Sequence, residues 1–125
     1  MINFPIGDFL IRIKNAAISK NREIEVEGNK FIINTAECLK KLGYLDSVEA
    51  KEGLLRVKLS FRNKKPVLSN IKLISKPGLR VYSSVDELES LKGPSIYLIS
   101  TPKGVVSARE AIKQRTGGEV IAEVL

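Results

Sequence analysis

The chain has no histidine and only one cysteine, Cys38. Without an imidazole there is no histidine-based nucleophile pair and no histidine metal ligand. A single thiol cannot build a zinc site. It cannot form an intramolecular disulfide either, which fits a reducing compartment; a cytoplasmic location is expected. No apolar stretch approaches the ~18 residues a membrane-spanning helix needs. The opening MINFPIGDF has no basic region ahead of an apolar core, so no signal peptide is expected. Repeats and low-complexity segments are absent too. The carboxylates are scattered, with no pair standing out for acid–base work. Ser100 and Thr101 have only Lys103 as a conceivable base. Lys103-Gly104 is not a phosphate loop, which needs a glycine several residues before the lysine and a hydroxyl after it. These gaps exclude the common hydrolytic and metal chemistries. The expectation is a protein that is not an enzyme and carries no cofactor and no metal.

One further absence is informative. Residues 54–82 contain no acid, yet hold Arg56, Lys58, Arg62, Lys64, Lys65, Lys72, Lys76 and Arg80. That is +8 out of a formal net charge of +7, so the rest of the 125-residue chain sums to −1. A basic run of this kind is either a solvated strand face or the footprint of a nucleic acid. The complete lack of acids favours the second.

What is present suggests an α+β protein of two small domains. Residues 5–19 repeat Ile6, Phe9, Leu10, Ile13 and Ala17 at helical spacing, with Pro5 suited to the first turn. Glu23 to Glu27 alternates acids with Ile24 and Val26, as a short edge strand would. A second helix is expected from Asn29, a good N-cap, to Leu42, with Gly43 as its stop. Cys38 falls on its apolar side as a core residue. Tyr44 to Ala50 and Leu54 to Arg62 form a hairpin about Lys51-Glu52-Gly53. In its second strand Leu55, Val57, Leu59 and Phe61 point inward; Arg56, Lys58, Ser60 and Arg62 point outward, giving a basic outer face. Asn63-Lys64-Lys65-Pro66 is the best linker. It divides an N-terminal α/β domain of residues 1–65, two helices on a short sheet, from a mostly β C-terminal domain of residues 66–125 with one short helix.

The C-terminal part contains a strand at Ile71 to Ile74, a turn at Lys76-Pro77-Gly78, a strand at Leu79 to Ser83 and one or two helical turns from Asp86 to Leu91. Its most informative stretch is Ser95 to Val120. An apolar run leads into a polar turn, Ser100-Thr101-Pro102-Lys103-Gly104. A helix follows with capping-box spacing, Ser107 to Glu110. Then Thr116-Gly117-Gly118 ends the helix, and Glu119 to Leu125 forms a closing strand. A glycine pair permits left-handed backbone and close approach of another chain. Small hydroxyls and bare backbone on one sheet edge suit the shallow minor groove or the irregular pairs of folded RNA. The alternative is that Ser100 and Thr101 only stabilise their own turn.

Four segments in this order resemble the family of the eighth protein of the small ribosomal subunit, bacterial type. They are Pro5 to Ala16 (PIGDFLIRIKNA), Lys40 to Leu45 (KKLGYL), Ser75 to Tyr82 (SKPGLRVY), and Ser100 to Val106 (STPKGVV) with Ala111 and Gly117-Gly118-Glu119-Val120. The resemblance spans essentially the whole chain. It implies a primary binder of small-subunit ribosomal RNA that grips an irregular stem of the central domain and helps that domain fold. Neighbouring small-subunit proteins are implied partners, and its own messenger is a further one, through translational repression. A free RNA-binding module or repressor acting outside the ribosome is the alternative.

By resemblance, the family's Ser-Thr-Ser-x-Gly loop maps to Ser100, Thr101, Pro102 and Gly104, with Lys103 beside them. Gly117, Gly118, Glu119 and Tyr82 support it, Tyr82 either as an RNA contact or as a strand-core residue. The N-terminal domain touches the RNA backbone around Asn29 and Lys30, and the basic segment, with Lys64 and Lys65, holds phosphate. The sequence departs from the pattern at three places. Pro102 replaces the second serine, removing a hydroxyl and an amide donor. Ile11 stands where threonine is common, and Asn29 replaces the serine before Lys30.

Overall fold

The computed structural model describes residues 4–91 and 93–125; Met1 to Asn3, part of the N-terminal stretch read above, and Lys92 lie outside the described residues. Helices and strands divide between two units, Pro5–Asn70 and Ile71–Leu125, the second including Phe4.

In the first unit α1 (Pro5–Ile18) buries Ile6, Phe9, Leu10, Ile13 and Ala17, the row its periodicity marks out. It ends in a Schellman motif. Asn21 N–H donates to Ala16 C=O at 2.7 Å and Lys20 N–H to Ala17 C=O at 3.2 Å, with Lys20 at φ 59. β1 (Glu23–Glu27) follows. α2 (Lys30–Lys41) is capped by Asn29, whose Oδ1 accepts from Ile32 N–H at 2.8 Å, and turns off at Gly43, φ 92. β2 (Leu45–Lys51) and β3 (Leu54–Leu59) are joined by Glu52-Gly53. Both turn residues have positive φ, the type I′ geometry whose twist matches paired strands. The antiparallel order is β1-β3-β2. α1 packs on β1, α2 on β2, and the helices on each other. Leu55 and Val57 are wholly buried in this core, and each such side chain contributes roughly 1.5–3 kcal/mol. Cys38 is buried as well, and burial pushes its thiol up to about 11.

The outer face of this sheet is not basic. β1 sets Glu25 opposite Arg56 and Glu23 opposite Lys58, while β2 sets Glu49 opposite Arg56. Arg56 bonds Glu23 at 3.2 Å and Glu25 at 3.0 Å. The face is mixed in charge because strand pairing sets acids of both β1 and β2 beside the bases of β3.

The inward–outward alternation stops at Ser60. Ser60 is buried, and its Oγ donates to Asp46 Oδ1 at 2.8 Å. The chain then forms a second hairpin, β4 (Phe61–Arg62) and β5 (Lys65–Pro66). Its two turn residues, Asn63 and Lys64, have φ 53 and 66, again type I′. The stretch expected as a linker forms this hairpin, and the chain passes from the first unit to the second after Asn70.

The second unit opens with β6 (Ile71–Leu73). At Lys76-Pro77-Gly78-Leu79 proline occupies the second position and Gly78, φ 82, the third. Leu79 N–H donates to Lys76 C=O at 2.9 Å, making a type II turn. β7 is only Tyr82–Ser83, shorter than expected. Ser75 explains part of this: its Oγ takes Val81 N–H at 3.0 Å, so that amide pairs with a side chain and not with a strand. α3 (Val85–Glu89) starts with a complete capping box between Ser84 and Glu87. β8 (Ile96–Thr101), β9 (Gly104–Ser107), α4 (Ala108–Lys113) and β10 (Gly118–Val124) complete the chain. The antiparallel order is β6-β10-β8-β9, with β7 also pairing with β10. Leu88, Ile99, Ala111 and Val120 form the core beneath, with Ile74, Val81 and Val106 packed against it.

β9 was not anticipated from the sequence. Ser100 and Thr101 consequently lie in β8, and only Pro102 and Lys103 form the turn.

Candidate nucleic-acid interface

The β8–β9 hairpin closes with Thr101 opposite Gly104. Pro102 and Gly104 stand at the second and fourth positions of the four-residue turn, where a type I turn favours them, and Lys103 needs no positive φ. Thr101 is buried. Its Oγ1 donates to Gly104 C=O at 2.8 Å and accepts from Lys103 N–H at 3.2 Å, so its hydroxyl stabilises its own hairpin. Ser100 differs: it is partly exposed, and among the described residues its hydroxyl has no protein partner. Pro102 and Lys103 are exposed at the tip.

β10 brings three expected residues into one row. Glu119 pairs with Tyr82 of β7 on one side and with Ser100 of β8 on the other. Directly opposed residues in antiparallel strands face the same side. Tyr82, Glu119 and Ser100 therefore share a face, and Tyr82 is 67% exposed, a surface residue and not a strand-core one. Glu119 would repel a polyanion if left alone. Arg80 offsets this, its Nη1 standing 3.2 Å from Glu119 Oε2, while its guanidinium lies 5.6 Å from the centre of the Phe4 ring. Sequence reading missed Arg80's part, because only the strand register reveals that it reaches Glu119.

Gly117 and Gly118 are required by the sheet. A Cβ at 117 would strike the Ser83 carbonyl, and one at 118 the Ser100 carbonyl. Neither glycine has a positive φ. The left-handed residue ending α4 is Arg115, φ 55, in a Schellman motif closed by Thr116 N–H to Ala111 C=O at 3.0 Å and Arg115 N–H to Ile112 C=O at 3.0 Å. Ser107 caps α4 by accepting from Glu110 N–H at 3.2 Å, but Glu110 turns to Gln114 at 3.3 Å and leaves the box half made.

In the first unit Asn29 caps α2 and Lys30 is its exposed first residue. Lys64 and Lys65 are exposed on the β4–β5 hairpin. The expected residues thus fall into a row on the second unit (Tyr82, Glu119, Ser100 and the adjoining hairpin tip) and two exposed cationic points on the first. The row and the adjoining tip offer a free hydroxyl, a phenol, a held carboxylate and, at Gly104, backbone with open space beside it. Such a surface can read the shape and base edges of a shallow groove, while the lysines can hold phosphate.

A family model described as ribosomal protein S8 matches residues 4–125. The chain is 44% identical over 126 aligned positions to the small ribosomal subunit protein uS8 of Enterococcus faecalis, covering 96% of each chain. It is 43% identical to the proteins of that name from Bacillus cereus and Streptococcus uberis, again over 96% of each. No helix among the described residues is long and apolar enough to cross a membrane.

Proposed function

This chain belongs to the ribosomal protein S8 family, a family of structural ribosomal proteins and not of enzymes, and from that premise we propose that it binds small-subunit ribosomal RNA directly, recognising an irregular stem of the central domain and promoting its folding. It is a ribosome-associated component of the small subunit, with ribosomal RNA and other ribosomal proteins as its partners. The cytoplasm is its proposed location.

The row of Tyr82, Glu119 and Ser100 carries the reading. Ser100 provides the only one of the two loop hydroxyls left without a protein partner among the described residues. Ser100 is assigned to direct readout and Tyr82 to stacking or hydrogen bonding beside it. Gly104, with open space where a Cβ would stand, lets the RNA approach the backbone, while Gly117 and Gly118 let the strands that carry Ser83 and Ser100 close up beside β10. Thr101 acts by fixing the hairpin, Pro102 by shaping its tip, and Lys103 by meeting phosphate. Asn29 sets the start of α2 and so places Lys30, which holds phosphate with Lys64 and Lys65.

The test is a titration of the central-domain stem and of a random duplex of equal length. Ser100→Ala should weaken the cognate stem by about 1–3 kcal/mol and leave the random duplex unchanged. Equal binding of the variant and the unaltered chain to the stem would defeat the assignment of Ser100.

A further inference from the structure

The β4–β5 hairpin is more than two lysines. Arg62 of β4 stands directly opposite Lys65 of β5, and Lys64 occupies the turn. Arg22, just ahead of β1, joins them: its guanidinium lies 4.4 Å from the centre of the Phe61 ring on β4. Its backbone is fixed there too, since Leu59 N–H donates to Arg22 C=O at 2.8 Å. Four cations from two separate stretches of chain therefore gather on one hairpin, Arg62 and Lys65 on one face, Arg22 over Phe61 on the other and Lys64 at the turn between them. None of them forms an ion pair among the described residues. The nearby acids are engaged elsewhere. Glu23, next to Arg22, bonds Arg56 at 3.2 Å, and Asp46 accepts from Ser60 Oγ at the root of the hairpin.

This arrangement is unfavourable in isolation. Like charges directly opposite across strands repel, and Lys64 sits in a left-handed conformation that side chains resist. A hairpin that concentrates unpaired cations under these conditions gains from a polyanion. An arginine held over an aromatic ring by a cation–π contact keeps N–H groups free for phosphate oxygens, and its position is set before binding.

We propose that Arg22, Arg62, Lys64 and Lys65 form a phosphate clamp on the first unit, which grips the RNA backbone without regard to sequence. The clamp rests on the reading of this protein as an RNA binder. It deepens that reading by adding Arg22 and Arg62 and by separating grip from recognition. Its contact is electrostatic and releases counterions, so it shows in the salt dependence of binding.

The experiment uses the full chain carrying Arg22→Gln with Arg62→Gln, titrated against the cognate stem and a random duplex from 50 to 200 mM monovalent salt. Removing two phosphate contacts should lower the slope of log affinity against log salt by roughly 1.5 for both RNAs, so that over this range the variant loses about eight-fold less affinity than the unaltered chain. At the lowest salt both RNAs should bind more weakly, by the same factor. The pair Arg22→Lys with Arg62→Lys should keep the slope. A slope unchanged for both RNAs overturns the clamp, as does a loss confined to the cognate stem, which would make these arginines sequence readers. Ser100→Ala run in parallel reports on the recognition surface alone, so a failure of that reading stays distinct from a failure of the clamp.

Discussion

The α-carbon of Gly118 packs against the main-chain carbonyl of Ser100, and a methyl group at 118 would collide with that oxygen. The two strands that carry Ser100 and Glu119 are thereby locked at a spacing only glycine allows. Gly118→Ala should destabilise the protein by about 2–3 kcal/mol, the range for overpacking where backbone must shift. Urea unfolding monitored by circular dichroism measures this. A midpoint equal to that of the unaltered chain would show that the sheet opens without strain.

Pro102 sits at the second position of a type I turn, where the hairpin needs no amide. It therefore suits the free protein while withholding a hydroxyl and an N–H from a ligand. Pro102→Ser should reduce stability by about 0.4–1 kcal/mol by loosening the unfolded chain. It should also bind the central-domain stem more tightly, by one hydrogen bond of about 0.5–1.5 kcal/mol. The two effects have opposite signs. Binding no tighter than that of the unaltered chain would mean that no contact is missing at 102.

Burial moves the Cys38 thiol from its ordinary 9.0 to about 11. The folded protein holds this proton after the unfolded chain has released it. The associated stability is therefore complete below pH 9 and is lost as pH rises to 11, an effect of roughly 2–3 kcal/mol. Unfolding midpoints between pH 8 and 11 should fall more steeply for the unaltered chain than for Cys38→Ala. Parallel profiles would show that the thiol titrates normally.

Arg115 ends α4 in a left-handed conformation usually given to glycine. Arg115→Gly should raise stability by about 0.5–1 kcal/mol by relieving the Cβ clash. A loss of stability instead would mean that the arginine side chain stabilises the helix end by more than the strain costs.

The helices of the first unit could be read from the sequence because their signals are local. Apolar residues recur every turn from Ile6 to Ala17, Asn29 and Gly43 bracket α2, and Pro77-Gly78 announces its turn. What could not be read depends on register. The acids that offset Arg56 lie on β1, and only strand pairing brings them across. β9 escaped notice because four residues between a turn and a capped helix are too few for an alternation to declare itself. The complete capping box went to Ser84, not Ser107. Both have glutamate three residues on, and whether that carboxylate folds back depends on its neighbours: Gln114 draws Glu110 away. Tyr82, Glu119 and Ser100 could each be singled out in the sequence as candidates, but their alignment in one line through Glu119 could not be read there.

The two ends of β3 differ in how their charges are used. At its Leu54 end Glu27, Lys51 and Glu52 mix both signs; at its Leu59 end lie Arg22 and the β4–β5 hairpin, whose cations have no ion-pair partner among the described residues. Charge that is not used inside the protein reaches outward, so the hairpin attracts a folded RNA before any contact is made. The association rate should fall with ionic strength along with the affinity, because salt shortens the distance over which that attraction acts.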